Sequence, residues 1–470
     1  MSFARFDRYV DRHARSFTER LQELCRLPSV AARGTGMRAV AEKVEQMLQR
    51  VGAGTRTFRV GSGFPLVYGE CGPGPRCFVI YGHYDVQPVG LLTEWSSGPF
   101  AADVRDGKLY ARGASNSKGN LVARVAAVEA YQKTFGKLPV CLRFIVEGED
   151  GVASPSLYRF TAENGRLLVA DGCIWDDGYR DTRDRLVINL GFKGIAFLEL
   201  RAYGARTDLH SKWGGIVPNP AWRLVQALAT VLSPKGIITV DGFGSHVAPL
   251  TTEDRQMLKH IVLDEAGLRR EFRIGSWLHG MTGRELAKEL IFGPTCTICG
   301  IRTGHTEAGA KTILPGAATA RLDFRLVPDL TPELVVRLLR QHLDTRGFQD
   351  IEIIELGSAP YAKSSPRSMA ARATIEAAEE VYGSPPVVYP LDPASGPVGA
   401  VCGVQHPPTS VVSFGISYSG SNPHGPDENI RLDDFIQGIK YFGRVIQRLS
   451  ELEEDEELAR GRQAAIQLGH

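Results

Sequence analysis

From Arg5 to Val51 apolar residues recur at the three-to-four spacing of a helix, with a turn expected around Pro28 to Thr35. Short apolar runs follow at Cys77 to Tyr81, Val140 to Val146 and Leu167 to Ala170. Runs of this length, bounded by Gly, Pro and polar residues, read as buried strands. A helix is predicted from about Lys118 to Phe135, with Leu121, Val125 and Val128 at helical spacing. Strands alternating with helices imply a mostly parallel sheet with helices on both faces, an α/β unit.

After Gly191 the rhythm changes. A strand (Ile195 to Tyr203) and a helix (Pro220 to Leu232) are followed by a strand (Ala317 to Val327), a helix (Pro332 to Leu343) and a strand (Ile351 to Leu356). This β-α-β-β-α-β flavour predicts a small inserted α+β domain of ferredoxin-like type with helices on one face. A last strand, Ser410 to Gly415, and a helix from Leu432 return the chain to the first sheet. No internal repeat or low-complexity segment interrupts this order. The glycines around Gly72 to Pro75 lack a following helix start and read as a turn rather than a phosphate loop.

At 470 residues the chain exceeds one hydrophobic core, so two domains are expected. A formal charge of +2, from 55 basic and 53 acidic residues spread along the chain, gives no footing for a nucleic acid or an anionic membrane surface. The first 17 residues lack the apolar region of a secretion signal, and no apolar stretch approaches the roughly 20 residues that span a bilayer. Eight cysteines are too few for a disulfide framework, so a reducing cytoplasm is the expected location. Cys296 and Cys299 form one CxxC without a second pair, and they read as buried structural thiols. The acidic run Glu451 to Glu457 is expected on a solvated helix face.

Ligands of open α/β sheets bind beyond the carboxyl ends of the strands. There this chain places Gly82-His83-Tyr84-Asp85-Val86-Gln87-Pro88, Glu147-Gly148-Glu149-Asp150-Gly151 and Asp171-Gly172, with Arg112-Gly113-Ala114-Ser115-Asn116-Ser117 before the helix and Asn422-Pro423-His424-Gly425-Pro426 far downstream. A His-x-Asp pair suits a metal ligand with its supporting carboxylate. Asp85 can accept the free N–H of His83 and fix its tautomer.

With these motifs the sequence resembles the M20 metallopeptidase family, in particular its carnosinase-like dipeptidase branch. GHYDVQP, RGAS-x-x-KG, EGE-x-x-x-x-SPSL, DLHS (208–211), VPNP (217–220), AKTILP (310–315), FRLVP (324–328) and NPHGP fall in the family's order. The resemblance implies a catalytic domain of residues 1–193 and 366–470 and an inserted lid and dimerisation domain of about 194–365. It also implies a homodimer and a small-molecule or peptide-like substrate. By position, the five ligands of a dinuclear zinc or manganese site match His83, Asn116, Gly151, Asp171 and His424.

Two of these positions depart from the pattern. Asn116 stands where the family has a bridging aspartate, and Asp150-Gly151 stands where it has a glutamate pair of general base and ligand. A shifted register would instead make Glu149 the base and Asp150 a ligand. Two dications about 3.5 Å apart repel by roughly 19 kcal/mol at an effective dielectric of 20, which carboxylates bound directly to the metals must offset. Asn116 offers one neutral oxygen, so the expectation is one zinc or manganese ion, or none, with His83, Asp171 and His424 as the remaining ligands.

On the substrate side the resemblance implies roles for His210 in oxyanion stabilisation and for Asn219, Thr312, Arg325 and Ser395 in substrate contact, with Asn116. The arginine usual four residues before that serine is Leu391, which removes one carboxylate anchor. Three readings stand open: a one-metal hydrolase using Asp150 or Glu149 with His210 and Asp85, a metal-independent enzyme of a specialised biosynthetic pathway (condensation, cyclisation or elimination), and a non-catalytic binding protein.

Overall fold

Strand Cys77–His83 runs parallel to Cys141–Glu147 on one side, with His83 opposite Glu147, and to Gly172–Trp175 on the other. Val411–Ser413 extends the parallel set beyond Gly172–Trp175. These segments are buried on both faces, which is why they read as apolar runs rather than alternating ones. The strand order reverses about Cys77–His83, so His83 lies at the switch point where such sheets open a crevice. Antiparallel strands Leu66–Cys71 and Gly54–Phe58 close one edge, and Val187–Asn189 with Val387–Tyr389 the other, giving eight strands.

The computed structural model describes residues 3–403, 409–456 and 458. The chain divides into two units, the first of residues 1–191, 363–390 and 397–470, the second of 192–362 and 391–396. In the first, helix Lys118–Phe135 is buried around nearly its whole circumference, between the sheet and the helices Ala4–Cys25 and Leu432–Glu451. Lys118 begins it in the interior, where its Nζ donates to the Leu24 and Leu27 carbonyls and burial lowers its pKa to about 8.

The second unit is a four-stranded antiparallel sheet ordered Thr295–Thr303, Ala317–Leu326, Gly194–Tyr203, Glu352–Ala359. With the first strand between the third and fourth, this is the ferredoxin-like arrangement expected. Ala318, Ala320, Leu322, Phe324 and Leu326 alternate inward and pack with Leu224, Leu228, Leu334 and Leu338 of helices Pro220–Val231 and Pro332–Thr345.

Four expectations need correction. Leu167 to Ala170 is not a strand: Gly165–Leu168 is a 3-10 turn with Val169 exposed, and the strand is the next, wholly buried run, Gly172–Trp175. Cys296 and Cys299 are not a buried pair, because Thr295–Thr303 is an edge strand that leaves Cys299 exposed and Cys296 half-buried. Helix Leu432–Glu451 ends at the first residue of the acidic run, and 452–455 that follow are not helical, so the run is not one continuous helix face; Glu457 lies outside the described residues. One disulfide is present, Cys77–Cys141, with Cα atoms 4.4 Å apart where two parallel strands start side by side. A sequence separation of 64 hid that neighbourhood. Among the described residues no helix is long and apolar enough to cross a membrane.

Two loops meet in the interior of the first unit through Arg112 and Glu428, whose side chains are 1% and 0% exposed and 2.7 Å apart. Glu428 Oε1 also accepts the N–H groups of Ser115 (2.9 Å) and Asn116 (3.0 Å), while Arg112 Nη2 donates to His424 O at 2.9 Å. Removing one member of such a pair strands a buried charge. Arg112→Leu is therefore expected to lower unfolding stability by about 3–5 kcal/mol, read as a reduced midpoint in chemical denaturation.

Candidate active site

The end of strand Cys77–His83 gives His83 a fixed place, and Asp85 holds it from behind. His83 Nδ1 lies 3.3 Å from Asp85 Oδ1 and 3.1 Å from the Asp85 carbonyl oxygen. Asp85, fully buried, also accepts the backbone N–H of Gly151 at 2.9 Å and that of Asp150 at 3.3 Å. The loop after strand Cys141–Glu147 is thus pinned so that Asp150 Oδ2 stands 3.8 Å from His83 Nε2. The result is a row of carboxylate, imidazole and carboxylate.

Electrostatics follow from this row. Burial works against a charged His83, but Asp150 and Asp85 outweigh it and hold the imidazole well above the ordinary histidine range. Burial raises the Asp150 carboxyl against the pull of His83, and Asp85 and Asp176 add to the rise. Asp150 keeps 34% of its side chain exposed, so it can meet water or a substrate.

Asn116 and His424 complete the cluster from the other two loops. The His424 ring Nε2 lies 3.3 Å from Asn116 Oδ1, an amide oxygen it meets as an N–H donor. The peptide bond between Asn116 and Ser117 is cis.

Two of the residues expected at the site do not join it. Asp171 lies at the opposite, amino end of the sheet, where its carboxylate accepts the Cys77 N–H at 2.8 Å. The whole length of strand Cys77–His83 separates it from His83. The displaced strand assignment caused this error, and Asp176, just past Trp175, is the carboxylate that reaches the crevice. A Cβ on Gly82 would come within 3.4 Å of its Oδ2. The pattern Gly172-Cys173-Ile174-Trp175 followed by Asp176-Asp177-Gly178 was the available signal. Glu149 is not a free base either. Its two oxygens accept the Phe64 N–H (2.8 Å) and the Ser156 N–H (2.9 Å), tying loops together.

Neutral donors hold Asp176: Asn120 Nδ2 reaches Oδ1 at 2.8 Å and Ser117 Oγ donates to Oδ2. Gly151 contributes no side chain, and a Cβ there would meet Asp85 Oδ2 and Gln87 Nε2, each at 3.1 Å. Among the described residues no three His, Cys, Asp or Glu side chains are grouped to hold a metal ion. The donor set does not fit a pair of divalent ions, because Asn116 cannot bridge as a carboxylate does and Gly151 offers no ligand.

The remaining candidates belong to the second unit. His210 is exposed on strand Leu209–His210, and its Nδ1 accepts the Lys212 N–H at 3.1 Å. That strand pairs with Ile313–Leu314, and Thr312 just before it accepts the Ser211 N–H through its carbonyl. Asn219 caps helix Pro220–Val231 through the Ala221 N–H, a structural task. Arg325 Nη2 lies 3.0 Å from Asp323 Oδ2, and Ser395 Oγ donates to Gly194 O at 3.0 Å. Lys193 in the same unit is buried, with its Nζ donating to Gly293 O at 2.6 Å and its pKa lowered to about 8 by burial.

Residues 79–448 match Peptidase family M20/M25/M40. The chain is 27% identical to the Beta-Ala-His dipeptidase of Rattus norvegicus, over 96% of each chain. It is 27% identical to the Cys-Gly metallodipeptidase dug1 of Schizosaccharomyces pombe, over 96% of this chain and 99% of that one. Among solved structures, the M20 family metallo-carboxypeptidase Sso-CP2 from Sulfolobus solfataricus is similar with a TM-score of 0.86 and 33% identity, over 92% of this chain and 98% of that one. Human carnosine dipeptidase 1 is similar with a TM-score of 0.79 and 25% identity, over 96% and 100%. Matched over most of its length and alike in fold throughout, the chain belongs to peptidase family M20/M25/M40.

Proposed function

We propose that this chain is a hydrolase of an amide or small peptide-like substrate, with Asp150 as its proton-transfer group and at most one divalent cation in its site. The observation that carries the reading is the row Asp85, His83, Asp150, with Asp150 Oδ2 3.8 Å from His83 Nε2. An ionised Asp150 accepts a proton from the attacking water and returns it to the leaving nitrogen as the C–N bond breaks. His83, held cationic by its two carboxylates, donates from Nε2 to the oxyanion that forms as water adds to the carbonyl. The named activities of the dipeptidase relatives support an amide bond as the target.

His210, Thr312, Arg325 and Ser395 supply substrate contacts in this proposal, and His210 serves the site of a second copy in a homodimer. The edge strand Thr295–Thr303, with Ile298 and Ile301 48% and 52% exposed, offers that copy an open sheet edge. A cytoplasmic location belongs to the same proposal and requires the Cys77–Cys141 bond, with Cys141 buried, to withstand a reducing compartment. A second reading, metal-independent condensation, cyclisation or elimination, draws on the neutral Asn116–His424 contact where a metal bridge would need a carboxylate.

Metal analysis after dialysis is expected to give fewer than two ions per chain; two zinc or manganese ions at full occupancy would refute the depleted site. With β-alanyl-histidine and cysteinyl-glycine as first substrates, Asp150→Asn should lower kcat by about 10²–10⁴-fold. A variant as active as the parent removes Asp150 from the mechanism.

The pH dependence has a defined sign. Because the folded pKa of His83 is raised, its contribution to stability is fully present below about pH 6.5 and is lost as pH rises through the folded value. Asp150→Asn should lower the His83 midpoint followed by NMR and narrow the stable window from its alkaline side. Finally, sedimentation should give a dimer that charged substitutions at Ile298 and Ile301 dissociate.

A further inference from the structure

One buried charge beneath the strand ends has no part in that proton transfer. Arg124, 3% exposed, sits one turn past Asn120 on helix Lys118–Phe135. Its Nη1 donates to Tyr81 O at 2.9 Å, and its Nη2 to Trp175 O at 2.7 Å and Phe414 O at 3.2 Å. Tyr81 and Trp175 belong to adjacent parallel strands, and Phe414 directly follows a third. The guanidinium therefore gathers three strand ends at the crevice and lies against the carbonyl that immediately precedes Asp176.

The same helix start supplies the other groups on Asp176. Asn120 Nδ2 takes Oδ1 at 2.8 Å while its own Oδ1 accepts the Ile416 N–H at 3.0 Å, so its orientation is fixed. Ser117 Oγ takes Oδ2. Burial disfavours the charge on Arg124, and Asp176 supports it. An arginine keeps its proton even so. Asp176 is hydrogen-bonded by its own chain, and the Arg124 guanidinium lies against the Trp175 carbonyl beside it.

We propose that Arg124 is the built-in counter-cation of Asp176 and that it bars a divalent ion from the His83–Asp176 side of the crevice. The proposal deepens the depleted-site reading and rests on it. A dication placed at Asp176 would share a carboxylate that already accepts from Asn120 and Ser117, and it would face a fixed positive charge in a water-poor interior, where repulsion is weakly screened. Arg124 touches no substrate; it is a positioning residue that sets the charge state of the site.

The test compares Arg124→Met with Arg124→Lys in the full chain, with Mn2+ binding measured by equilibrium dialysis and Tm measured with and without Mn2+. Arg124→Met is expected to bind Mn2+ at least tenfold more tightly than the parent and to gain Tm from it. Arg124→Lys should behave as the parent. The gain should vanish when His83→Ala or Asp176→Asn is added. A folded Arg124→Met with the parent's Mn2+ affinity overturns the proposal.

Should Arg124→Met fail to fold, Asp176→Asn in the parent decides. Unchanged Mn2+ uptake with a lowered Tm supports the internal pairing, and a tenfold weaker uptake overturns it. Two tightly held ions in the parent would sink the depleted-site reading itself. One or none in the parent, with an indifferent Arg124→Met, sinks only the role of Arg124.

Discussion

The buried pair of Arg112 and Glu428 is the contact on which the site's geometry depends. Neither side chain has appreciable access to water, so the pair persists only because each partner also satisfies backbone groups. Those backbone groups belong to Ser115, Asn116 and His424, which sit on two loops that approach from sequence positions over 300 residues apart. Asn116 and His424 meet because Glu428 fixes the start of one loop and Arg112 the turn of the other. A third anchor, Asp85, does the same for the loop carrying Asp150. The site is thus three loops held by two buried carboxylates, over strand ends that Arg124 draws together.

Most acids around the crevice are engaged within the chain. A pair of dications needs several anionic oxygens pointing at a common centre, and here the acids other than Asp150 accept hydrogen bonds from within the chain. Asp85 faces two amides and an imidazole, Asp176 faces a hydroxyl and an amide, and Glu149 faces two backbone N–H groups. Glu147 adds a fourth case: buried beside Tyr81 and Ser154, its carboxyl is pushed up to about 8 by burial and by Asp150. Only Asp150 keeps an exposed edge.

How much of this was legible in the sequence depends on period and range. The parallel strands Cys77–His83 and Cys141–Glu147 and the helix Lys118–Phe135 were legible because continuous burial writes itself as apolar runs of fitting length. The alternation along Ala317–Leu326 was equally plain. Leu167 to Ala170 failed because an apolar run bordering a glycine can be a turn, and a five-residue shift moved the candidate carboxylate from Asp176 to Asp171, at the wrong end of the sheet. The Cys77–Cys141 bond and the Arg112–Glu428 pair were invisible for a different reason. Both are long-range pairings that topology alone creates.

That failure also shows what a single misplaced strand end costs in chemistry. With Asp171 in the crevice, one free carboxylate would stand beside His83 and a lone cation would find two protein ligands there. With Asp176 in its place, the strand-end carboxylate accepts from Asn120 and Ser117, and the acid with an exposed edge beside the imidazole is Asp150, on a loop rather than a strand. Asp150 combines that exposed edge with a place 3.8 Å from the His83 ring nitrogen. Asp176 is held at a strand end by Asn120 and Ser117, so the two acids differ in exposure as well as in position.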